Sequence, residues 1–247
     1  MDLLIFGGQS NMQGETEALP DPNPVVEGAL EYRYLTDSLV PLCHPVGEDV
    51  GESDLLMAHK GHGSLIPAFC RAYVSLSGRE AVAVHVAKGS TTLSQWLLGT
   101  HRYGAARDKM LAAIRKVRAL GAEIGRIYYV WLQGESDALK KTEEDDYLRM
   151  LVEYKNALKA DVGIDAFTII RVGYFSKDHT LDEAIMRAQE RAAADDPDFV
   201  MLTRICATLS LDPAYLNPFV AGHYSNKGMD RIGETAGAVL ARLCGES

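Results

Sequence analysis

Short apolar runs alternate along the chain with longer stretches in which apolar residues recur at helical spacing. The runs are rich in β-branched or aromatic residues and are bounded by charges or glycines, as buried strands usually are. They comprise residues 3–6, 81–87, 127–132, 167–172 and 199–205. The stretches with helical spacing comprise residues 105–120, 145–159, 181–194 and 228–243. Strand followed by helix, repeated in this way, predicts an α/β fold whose parallel sheet carries helices on both faces.

The 247 residues are expected to form one domain, because α/β sheets often reach this length as a single unit and no linker divides the chain. We predict a three-layer α/β/α domain over residues 1–247, with five parallel strands in the flavodoxin-like order 2-1-3-4-5. Residues 20–63 interrupt the alternation and carry five of the nine prolines. This segment is predicted to form a long excursion over the surface that shapes the pocket.

Composition narrows the range of partners. The chain is 47% hydrophobic and 24% charged, as is ordinary for a protein with a sizeable core, and its formal net charge is -9. Because Lys and Arg form no cluster, nucleic acid and anionic membranes are poor partners. The chain begins without the features of a signal peptide, so a cytoplasmic location is expected. A secreted protein whose signal peptide had been removed would begin in the same way.

Cysteine and histidine spacing argues against a metal or redox centre. The four cysteines are far apart and form no C-x-x-C pair, so they are expected to be free thiols. His59 and His62 are spaced H-x-x-H, but no acidic or cysteine partner stands at a familiar spacing. Walker A and dinucleotide-binding fingerprints are also missing from the sequence. We therefore expect neither a metal nor a cofactor.

Three motifs follow predicted strands and so fall in strand-to-helix loops. Residues 7–12 (Gly-Gly-Gln-Ser-Asn-Met) follow the first strand, residues 88–90 (Lys-Gly-Ser) the second and residues 133–137 (Gln-Gly-Glu-Ser-Asp) the third. In the predicted order these three strands are neighbours, and ligands bind beyond their carboxyl ends. We expect the motifs to converge on one crevice, which His223, just before the last helix, could also reach.

This combination of residues suits acyl transfer. A serine hydroxyl becomes a strong nucleophile when a base takes its proton, and Ser10 with His223 could supply that pair. Acyl transfer also builds negative charge on the carbonyl oxygen, which hydrogen-bond donors must stabilise. The expected donors of this oxyanion hole are the backbone N–H groups of Ser10 and Gly89 and the side-chain amide of Gln133.

These blocks resemble a known family over nearly the whole chain. Residues 8–12, residues 89–90 ahead of Trp96, and residues 131–138 (Trp-Leu-Gln-Gly-Glu-Ser-Asp-Ala) are similar to the sialate O-acetylesterase and acetylxylan-esterase-like branch of the SGNH hydrolases. The resemblance implies hydrolysis of O-acetyl esters of a carbohydrate, such as sialic acid or a xylo-oligosaccharide, through an acyl-enzyme intermediate. The partner would be a small acetylated carbohydrate, and the oligomeric state is left open.

The resemblance also implies roles for single residues. Ser10 would be the nucleophile, His223 the general base, and Gly89 and Gln133 oxyanion donors, with Gln133 standing where other SGNH enzymes carry asparagine. Further candidates for binding the substrate are Gln9, Asn11 and Trp96. Two alternatives remain open: a thioesterase or lipase-like hydrolase of longer acyl esters, or a carbohydrate-binding protein with little catalysis.

The acid that orients His223 is the least defined part of the site. Many members of the resembled branch carry Asp three residues before the histidine, whereas this chain has Val220. Glu135 is the favoured replacement, because its loop lies at the same sheet edge as Ser10. Asp212, eleven residues before the histidine, is the alternative, and Asp137 is a third choice. A dyad oriented by a backbone carbonyl or water would need no acid at all.

Overall fold

A computed structural model describes residues 1–48 and 62–245 of the chain. Within these residues seven strands form one sheet. The strands are β1 (Asp2–Gly8), β2 (Ala29–Arg33), β3 (Ser38–Pro41), β4 (Ala81–His85), β5 (Ile127–Leu132), β6 (Ala166–Ile170) and β7 (Phe199–Thr203). The helices are α1 (Ser10–Gln13), α2 (Ile66–Ser77), α3 (His101–Ala119), α4 (Glu135–Leu139), α5 (Glu144–Asp161), α6 (His179–Asp195), α7 (Ile205–Leu209) and α8 (Asn226–Gly245). Two short 3-10 helices span Leu93–Trp96 and Pro213–Tyr215.

The strand order across the sheet is β3-β2-β4-β1-β5-β6-β7. Neighbouring strands are parallel except for the antiparallel pair β2 and β3. The five strands that the sequence predicts are β4, β1, β5, β6 and β7 in space, which confirms the α/β class and the order 2-1-3-4-5. The predicted strand number is wrong, because the sheet has seven strands rather than five.

Both additional strands come from the segment 20–63, which the sequence analysis places on the surface. β2 extends the sheet by pairing with β4, from Ala29 opposite Ala81 to Glu31 opposite Ala83. Side chains in the described part of the segment enter the core, including Val26, Tyr32, Leu42 and Val46. Neither β2 nor β3 contains an apolar run of four residues, and Glu31 and Arg33 place charges within β2. Residues 49–61, with His59, lie outside the described residues.

β1 lies at the centre of the sheet, and its central position determines where the site forms. All seven of its residues are buried. It pairs with β4 on one side and with β5 on the other, so the segments after these three strands leave the sheet at the same edge. Because a buried strand has both faces covered, its four consecutive apolar residues, Leu3 to Phe6, all pack into the core.

Local signals in the sequence begin and end the helices that cover the sheet. The Thr100 side chain caps α3 by accepting a hydrogen bond from the Tyr103 N–H at 3.1 Å. α2 ends at Gly78, which has a left-handed φ of 68°. α2 packs against α8, and α5 packs against α6. Among the described helices, none combines the length and apolar character that crossing a bilayer requires.

A buried charge network joins the β2 region to α3. Lys109 of α3 is buried and forms an ion pair with Glu48. Nearby, Glu31 of β2 lies 2.8 Å from the Arg33 guanidinium and accepts a hydrogen bond from the Gly47 N–H at 2.7 Å. Burial raises the pKa of Glu31 to about 7, although Arg33, Gly47 and Lys109 each oppose the shift. Glu31 therefore favours its neutral form in the folded protein more than in the unfolded chain.

The raised pKa of Glu31 leads to a testable dependence of stability on pH. Its contribution to stability is complete below the ordinary carboxyl pKa of 4.5 and is lost as the pH rises through about 7. The free energy of unfolding of the wild type, relative to Glu31→Gln, should fall by about 3 kcal/mol between pH 4.5 and pH 8. Urea denaturation of both proteins across this range measures the difference. A difference that stays constant with pH would contradict the prediction.

Candidate active site

Ser10 stands directly beyond the carboxyl end of β1, as the first residue of the short helix α1. The backbone can turn there because Gly8 has a φ of 144°, a conformation that side chains disfavour. A Cβ at Gly8 would lie 2.0 Å from the carbonyl oxygen of Leu132 in the neighbouring strand β5. Glycine at this position therefore permits both the turn and the close contact with β5 that place Ser10 at the sheet edge.

Ser10 and His223 form the hydrogen-bonded pair that the sequence analysis expects. The Oγ atom of Ser10 lies 2.8 Å from Nε2 of His223, and both residues are buried. The preceding residue, Gly222, has a φ of 75°, and a Cβ there would lie 2.4 Å from the Phe175 ring. Phe175 in turn packs edge-on against the imidazole, with ring centroids 5.6 Å apart. This packing limits the positions that the imidazole can adopt.

A backbone carbonyl orients the other side of the imidazole. Nδ1 of His223 lies 3.0 Å from the carbonyl oxygen of Ala221. Because a carbonyl oxygen can only accept a hydrogen bond, Nδ1 carries the proton and Nε2 is free to accept one from Ser10. The arrangement is the dyad that the sequence analysis left open, with the Ala221 carbonyl in the place of an acid.

None of the three predicted acids orients His223 directly. Asp212 is exposed and caps the 3-10 helix Pro213–Tyr215 by accepting from the Ala214 N–H at 3.0 Å. Asp137 accepts from the Leu93 N–H and from the side chain of Gln133. The favoured choice, Glu135, accepts from Asn11 instead of contacting the imidazole, so the prediction of a direct bond is wrong. Each carboxylate thus accepts its described hydrogen bonds from groups other than the imidazole.

Glu135 influences the histidine loop indirectly, through Asn11. The Nδ2 atom of Asn11 donates to Glu135 at 2.8 Å and lies 3.5 Å from the carbonyl oxygen of Gly222, while its Oδ1 lies 3.4 Å from the Tyr224 N–H. Asn11 thus joins α4 to the residues on both sides of His223. Burial raises the pKa of Glu135, and the hydrogen bond from Asn11 opposes the shift.

Asn11 is expected to matter more for turnover than Glu135. Asn11→Ala removes the connection to Gly222 and Tyr224, so the imidazole loses its alignment and kcat should fall by up to about a hundredfold. Glu135→Gln keeps an acceptor oxygen for Asn11 and should lose far less. Asp212→Asn, which retains the cap, is the control and should match the wild type. If Glu135→Gln lost more than Asn11→Ala, the carboxylate charge would act on His223 directly.

Two predicted oxyanion donors are engaged within the protein. The Gly89 N–H donates to Oε1 of Gln13 at 2.6 Å. Nε2 of Gln133 lies 2.6 Å from Oδ2 of Asp137 and 2.9 Å from the carbonyl oxygen of Thr91, and Gln133 has no exposed surface. An amide nitrogen has two hydrogens, and these two acceptors share them with Oε1 of Gln9 at 3.2 Å, so neither hydrogen is free. The expectation that Gln133 points into the oxyanion hole is therefore corrected.

Trp96 belongs to the core and does not face the site. It has no exposed surface, and its indole N–H donates to Thr91 Oγ1 at 3.0 Å. Its ring packs edge-on against Trp131, with centroids 5.8 Å apart. This burial argues against the expected role of Trp96 in binding the substrate, because the 3-10 helix that carries it turns the ring inward. Gln9 and Asn11, the other two candidates, flank Ser10 with small exposed areas.

Glu15 lies beside His223, although no sequence motif indicated it. Its carboxylate oxygen Oε2 lies 3.6 Å from Nε2 of His223, and its side chain is 20% exposed. Glu15 follows Gly14, at which the short helix α1 ends. Its closeness in sequence to Ser10 was the available signal, but an acidic residue just after a tight turn is equally typical of an exposed surface.

Cysteines and potential metal ligands are also placed by the structure. Cys43, Cys70, Cys206 and Cys244 are free thiols. In the described ranges 1–48 and 62–245, no three His, Cys, Asp or Glu side chains are grouped so as to hold a metal ion. His62 lies within these ranges, but its predicted partner in the H-x-x-H pattern, His59, does not.

Three solved structures illustrate the fold. An X-ray structure of a protein from Arabidopsis thaliana shares 16% identity at a TM-score of 0.74, with 98% of each chain covered. A carbohydrate acetylesterase from Xanthomonas citri shares 13% sequence identity at a TM-score of 0.61, with all of this chain and 57% of that chain covered. A catalytic mutant of an acetylxylan esterase from Geobacillus stearothermophilus shares 11% sequence identity at a TM-score of 0.51, with 99% of this chain and 94% of that chain covered. At such identities the likeness establishes the fold alone.

The family is established by sequence comparison. A search of curated proteins finds no match. A family model described as "Carbohydrate esterase, sialic acid-specific acetylesterase" matches residues 1–234, which include Ser10 and His223. The chain therefore belongs to this family of carbohydrate esterases, and its activity class is carboxylic ester hydrolysis.

Proposed function

We propose that the protein is a serine esterase that removes O-acetyl groups from a neutral carbohydrate through an acyl-enzyme intermediate. The observation that carries the proposal is the 2.8 Å contact between Oγ of Ser10 and Nε2 of His223 at the end of β1. A hydroxyl held by a neutral imidazole nitrogen is the arrangement that activates serine as a nucleophile. Membership of a carbohydrate esterase family supports acetylated sugars as the substrate class.

The proton path follows from the contacts of His223. Ser10 Oγ attacks the acetyl carbonyl carbon and gives its proton to Nε2, and the Ala221 carbonyl stabilises the resulting imidazolium through Nδ1–H. Nε2 then donates the proton to the sugar oxygen as the ester bond breaks, leaving acetyl-Ser10. A water molecule, deprotonated by the same nitrogen, attacks the acetyl group, and acetate leaves as Ser10 regains its proton.

Charge near the nucleophile favours a neutral sugar over sialic acid. The Glu15 carboxylate lies 3.6 Å from Nε2 of His223 and would repel the carboxylate of an anionic sugar. The same charge stabilises the imidazolium that forms during the reaction. One structural neighbour is named as an acetylxylan esterase, an enzyme of an acetylated polysaccharide.

Phe219 is the aromatic residue that we propose as the sugar platform in place of Trp96. Its side chain is 80% exposed and lies in the loop that leads to His223. Asn217 holds this loop by accepting from the Phe219 N–H at 2.8 Å, and the Asn217 N–H donates to the His223 carbonyl at 2.8 Å. An exposed aromatic ring on an ordered loop can stack on the apolar face of a sugar.

Acetate release from a panel of esters tests the proposed function. The panel contains acetylated xylo-oligosaccharides, glucose pentaacetate, O-acetylated sialic acid and the p-nitrophenyl esters of acetate, butyrate and octanoate. We expect acetate to be preferred among the simple esters, and neutral acetylated sugars to be preferred over sialic acid. A preference for octanoate would favour a lipase-like enzyme. Sugar binding without turnover at any pH would favour a binding protein.

The variant Phe219→Ala tests whether the aromatic ring of Phe219 contacts the sugar part of the substrate. Loss of stacking should raise KM for an acetylated sugar by roughly three- to tenfold, as expected for an aromatic contact of about 1 kcal/mol. KM for p-nitrophenyl acetate, which has no sugar, should stay near the wild-type value. Leu120→Ala, at the exposed end of α3, is the matched control. An equal rise with both substrates would contradict a platform for the sugar.

A further inference from the structure

We propose that the side-chain amide of Gln9 donates directly to the oxyanion, together with the backbone N–H of Ser10. The inference rests on the proposed esterase function and extends it by one catalytic residue. It replaces the expected donation from Gln133, whose amide hydrogens are bound elsewhere. Gln9 directly precedes the nucleophile, and its side chain contacts the start of α4 at the same sheet edge.

The donors left free around Ser10 point to this pair. Gly89 donates to Gln13, and Gln133 donates to Asp137 and Thr91, as described above. By contrast, the Ser10 N–H has no acceptor within residues 1–48 and 62–245. Nε2 of Gln9 likewise has no acceptor among these residues. This atom is not fully buried, because it is missing from the set of fully buried atoms without a partner. These two donors are therefore available to an oxygen atom of the substrate.

The orientation of the Gln9 amide is determined by an unambiguous donor. The backbone N–H of Ser136, in the first turn of α4, lies 3.1 Å from Oε1 of Gln9. A backbone N–H can only donate, so the Gln9 atom that faces it must be the oxygen. Nε2 of Gln133 lies 3.2 Å from the same oxygen. With Oε1 held by these two contacts, the NH₂ group of Gln9 is directed away from α4.

Gln133 acts on this arrangement as a positioning residue. Asp137 and the Thr91 carbonyl only accept hydrogen bonds, so the Gln133 atom that faces them must be nitrogen. Oε1 of Gln133 accepts from the Tyr147 hydroxyl at 3.0 Å, which agrees with this orientation. Nitrogen is then also the Gln133 atom that meets Oε1 of Gln9. The glutamine of the third block thus fixes Gln9 rather than the substrate.

The chemistry fits a preorganised oxyanion hole. When Ser10 attacks, the carbonyl oxygen gains negative charge and moves closer to its donors, so hydrogen bonds from Ser10 N–H and Gln9 Nε2 strengthen in the transition state. Because Oε1 of Gln9 is already fixed, its NH₂ group needs little reorganisation at that moment. One such donor contributes roughly a hundredfold to a thousandfold to kcat.

Two variants of Gln9 test the proposal with p-nitrophenyl acetate as the substrate. Gln9→Glu keeps an acceptor for Ser136 and Gln133 but replaces the donor by a carboxylate, and Gln9→Met removes both. We expect kcat to fall by at least about a hundredfold in each at pH 8, with KM changed by less than threefold. Gln95→Glu, an exposed glutamine in the 3-10 helix Leu93–Trp96, is the matched control and should keep wild-type kcat.

A pH profile separates donation from a structural effect. The carboxyl group introduced by Gln9→Glu regains an O–H donor when it is protonated, so the ratio of kcat for this variant to that of the wild type should rise as the pH falls from 8 to 4.5. A ratio that does not change with pH would overturn the proposal, even if kcat is low.

The remaining outcomes show whether the Gln9 proposal fails or the proposed esterase function fails. If the wild type releases acetate and both Gln9 variants stay within threefold of its kcat, Gln9 is not a donor, while the esterase function stands. A rise in KM at unchanged kcat also overturns the proposal, because Gln9 would then bind ground state and transition state alike. If the wild type hydrolyses no ester, the proposed function itself fails. Circular dichroism checks that each variant folds. If Gln9→Met does not fold, the result for Gln9→Glu alone tests whether Gln9 donates to the oxyanion.

Discussion

Ser10→Ala is expected to lower kcat/KM for acetyl esters by at least about 10⁴-fold, because it removes the attacking oxygen from an otherwise intact site. His223→Ala should lose a comparable factor. Among the described contacts of Ser10 Oγ, Nε2 of His223, at 2.8 Å, is the one proton acceptor. The two residues act as one unit, so the double variant should be no less active than either single variant. Acetate release under saturating and limiting substrate measures all three.

The matched control is Ser94→Ala. Ser94 lies in the 3-10 helix after the second motif, is exposed, and bonds the Thr92 hydroxyl at 3.0 Å. Its variant should retain wild-type kcat/KM. A fluorophosphonate probe gives an independent readout, because it should label the peptide that contains Ser10 in the wild type and in Ser94→Ala but not in Ser10→Ala. Activity within tenfold of the wild type in Ser10→Ala would mean that another nucleophile acts, and the proposed mechanism would be lost.

Lys109→Met is expected to destabilise the fold by about 3 to 5 kcal/mol, the usual cost of removing one partner of a buried ion pair. Methionine roughly conserves the volume, so the change isolates the charge. Lys109 is 1% exposed and Glu48 3%, and burial lowers the pKa of the Lys109 ammonium while Glu48 opposes that shift. Without Lys109, the Glu48 carboxylate is left with the backbone N–H groups of Tyr34 and Leu35 as its described partners.

An exposed pair serves as the comparison for this prediction. Lys116, further along α3, lies 3.3 Å from Asp37, whose side chain is 65% exposed. Lys116→Met should cost less than about 1 kcal/mol, because water screens the pair. The double variant Lys109→Met with Glu48→Met should recover most of the lost stability. Urea denaturation at pH 7 gives the free energies of unfolding, and equal effects for Lys109→Met and Lys116→Met would contradict the prediction.

The class of fold and the pairing of Ser10 with His223 could be predicted from the sequence, and these two side chains lie 2.8 Å apart. Short, mainly apolar runs marked the five strands β1, β4, β5, β6 and β7, because strands buried on both faces carry few polar residues. Their alternation with helices indicated a parallel sheet, and the flavodoxin-like order placed the motifs after β1, β4 and β5 at one sheet edge. Ser10 and His223 were recognisable because acyl transfer requires a hydroxyl and a base, and the motifs around Ser10 resemble a known family.

The fold, and not the sequence pattern, shows which polar groups around Ser10 are already hydrogen-bonded within the protein. Sequence spacing assigned Gln133 to the oxyanion and Glu135 to the imidazole, but each side chain found a partner within hydrogen-bond reach inside the fold: Gln133 bonds Asp137 and Thr91, and Glu135 bonds Asn11. The sequence could not indicate which backbone carbonyl contacts Nδ1 of His223, because every residue carries a carbonyl group. Side chains at one sheet edge compete for the same donors and acceptors, and only the three-dimensional arrangement determines which pairs form.

The same reason explains the errors in the fold. β2 and β3 are short, and Glu31 stands buried within β2, where its charge would ordinarily indicate a solvent-exposed position. The Arg33 guanidinium, two residues along β2, and Lys109 on α3, far away in the chain, make that burial tolerable. Trp96 faces inward for a similar reason, since it packs against Trp131 from the neighbouring part of the sheet. Local sequence patterns report periodicity, whereas these positions depend on contacts between residues far apart in the chain.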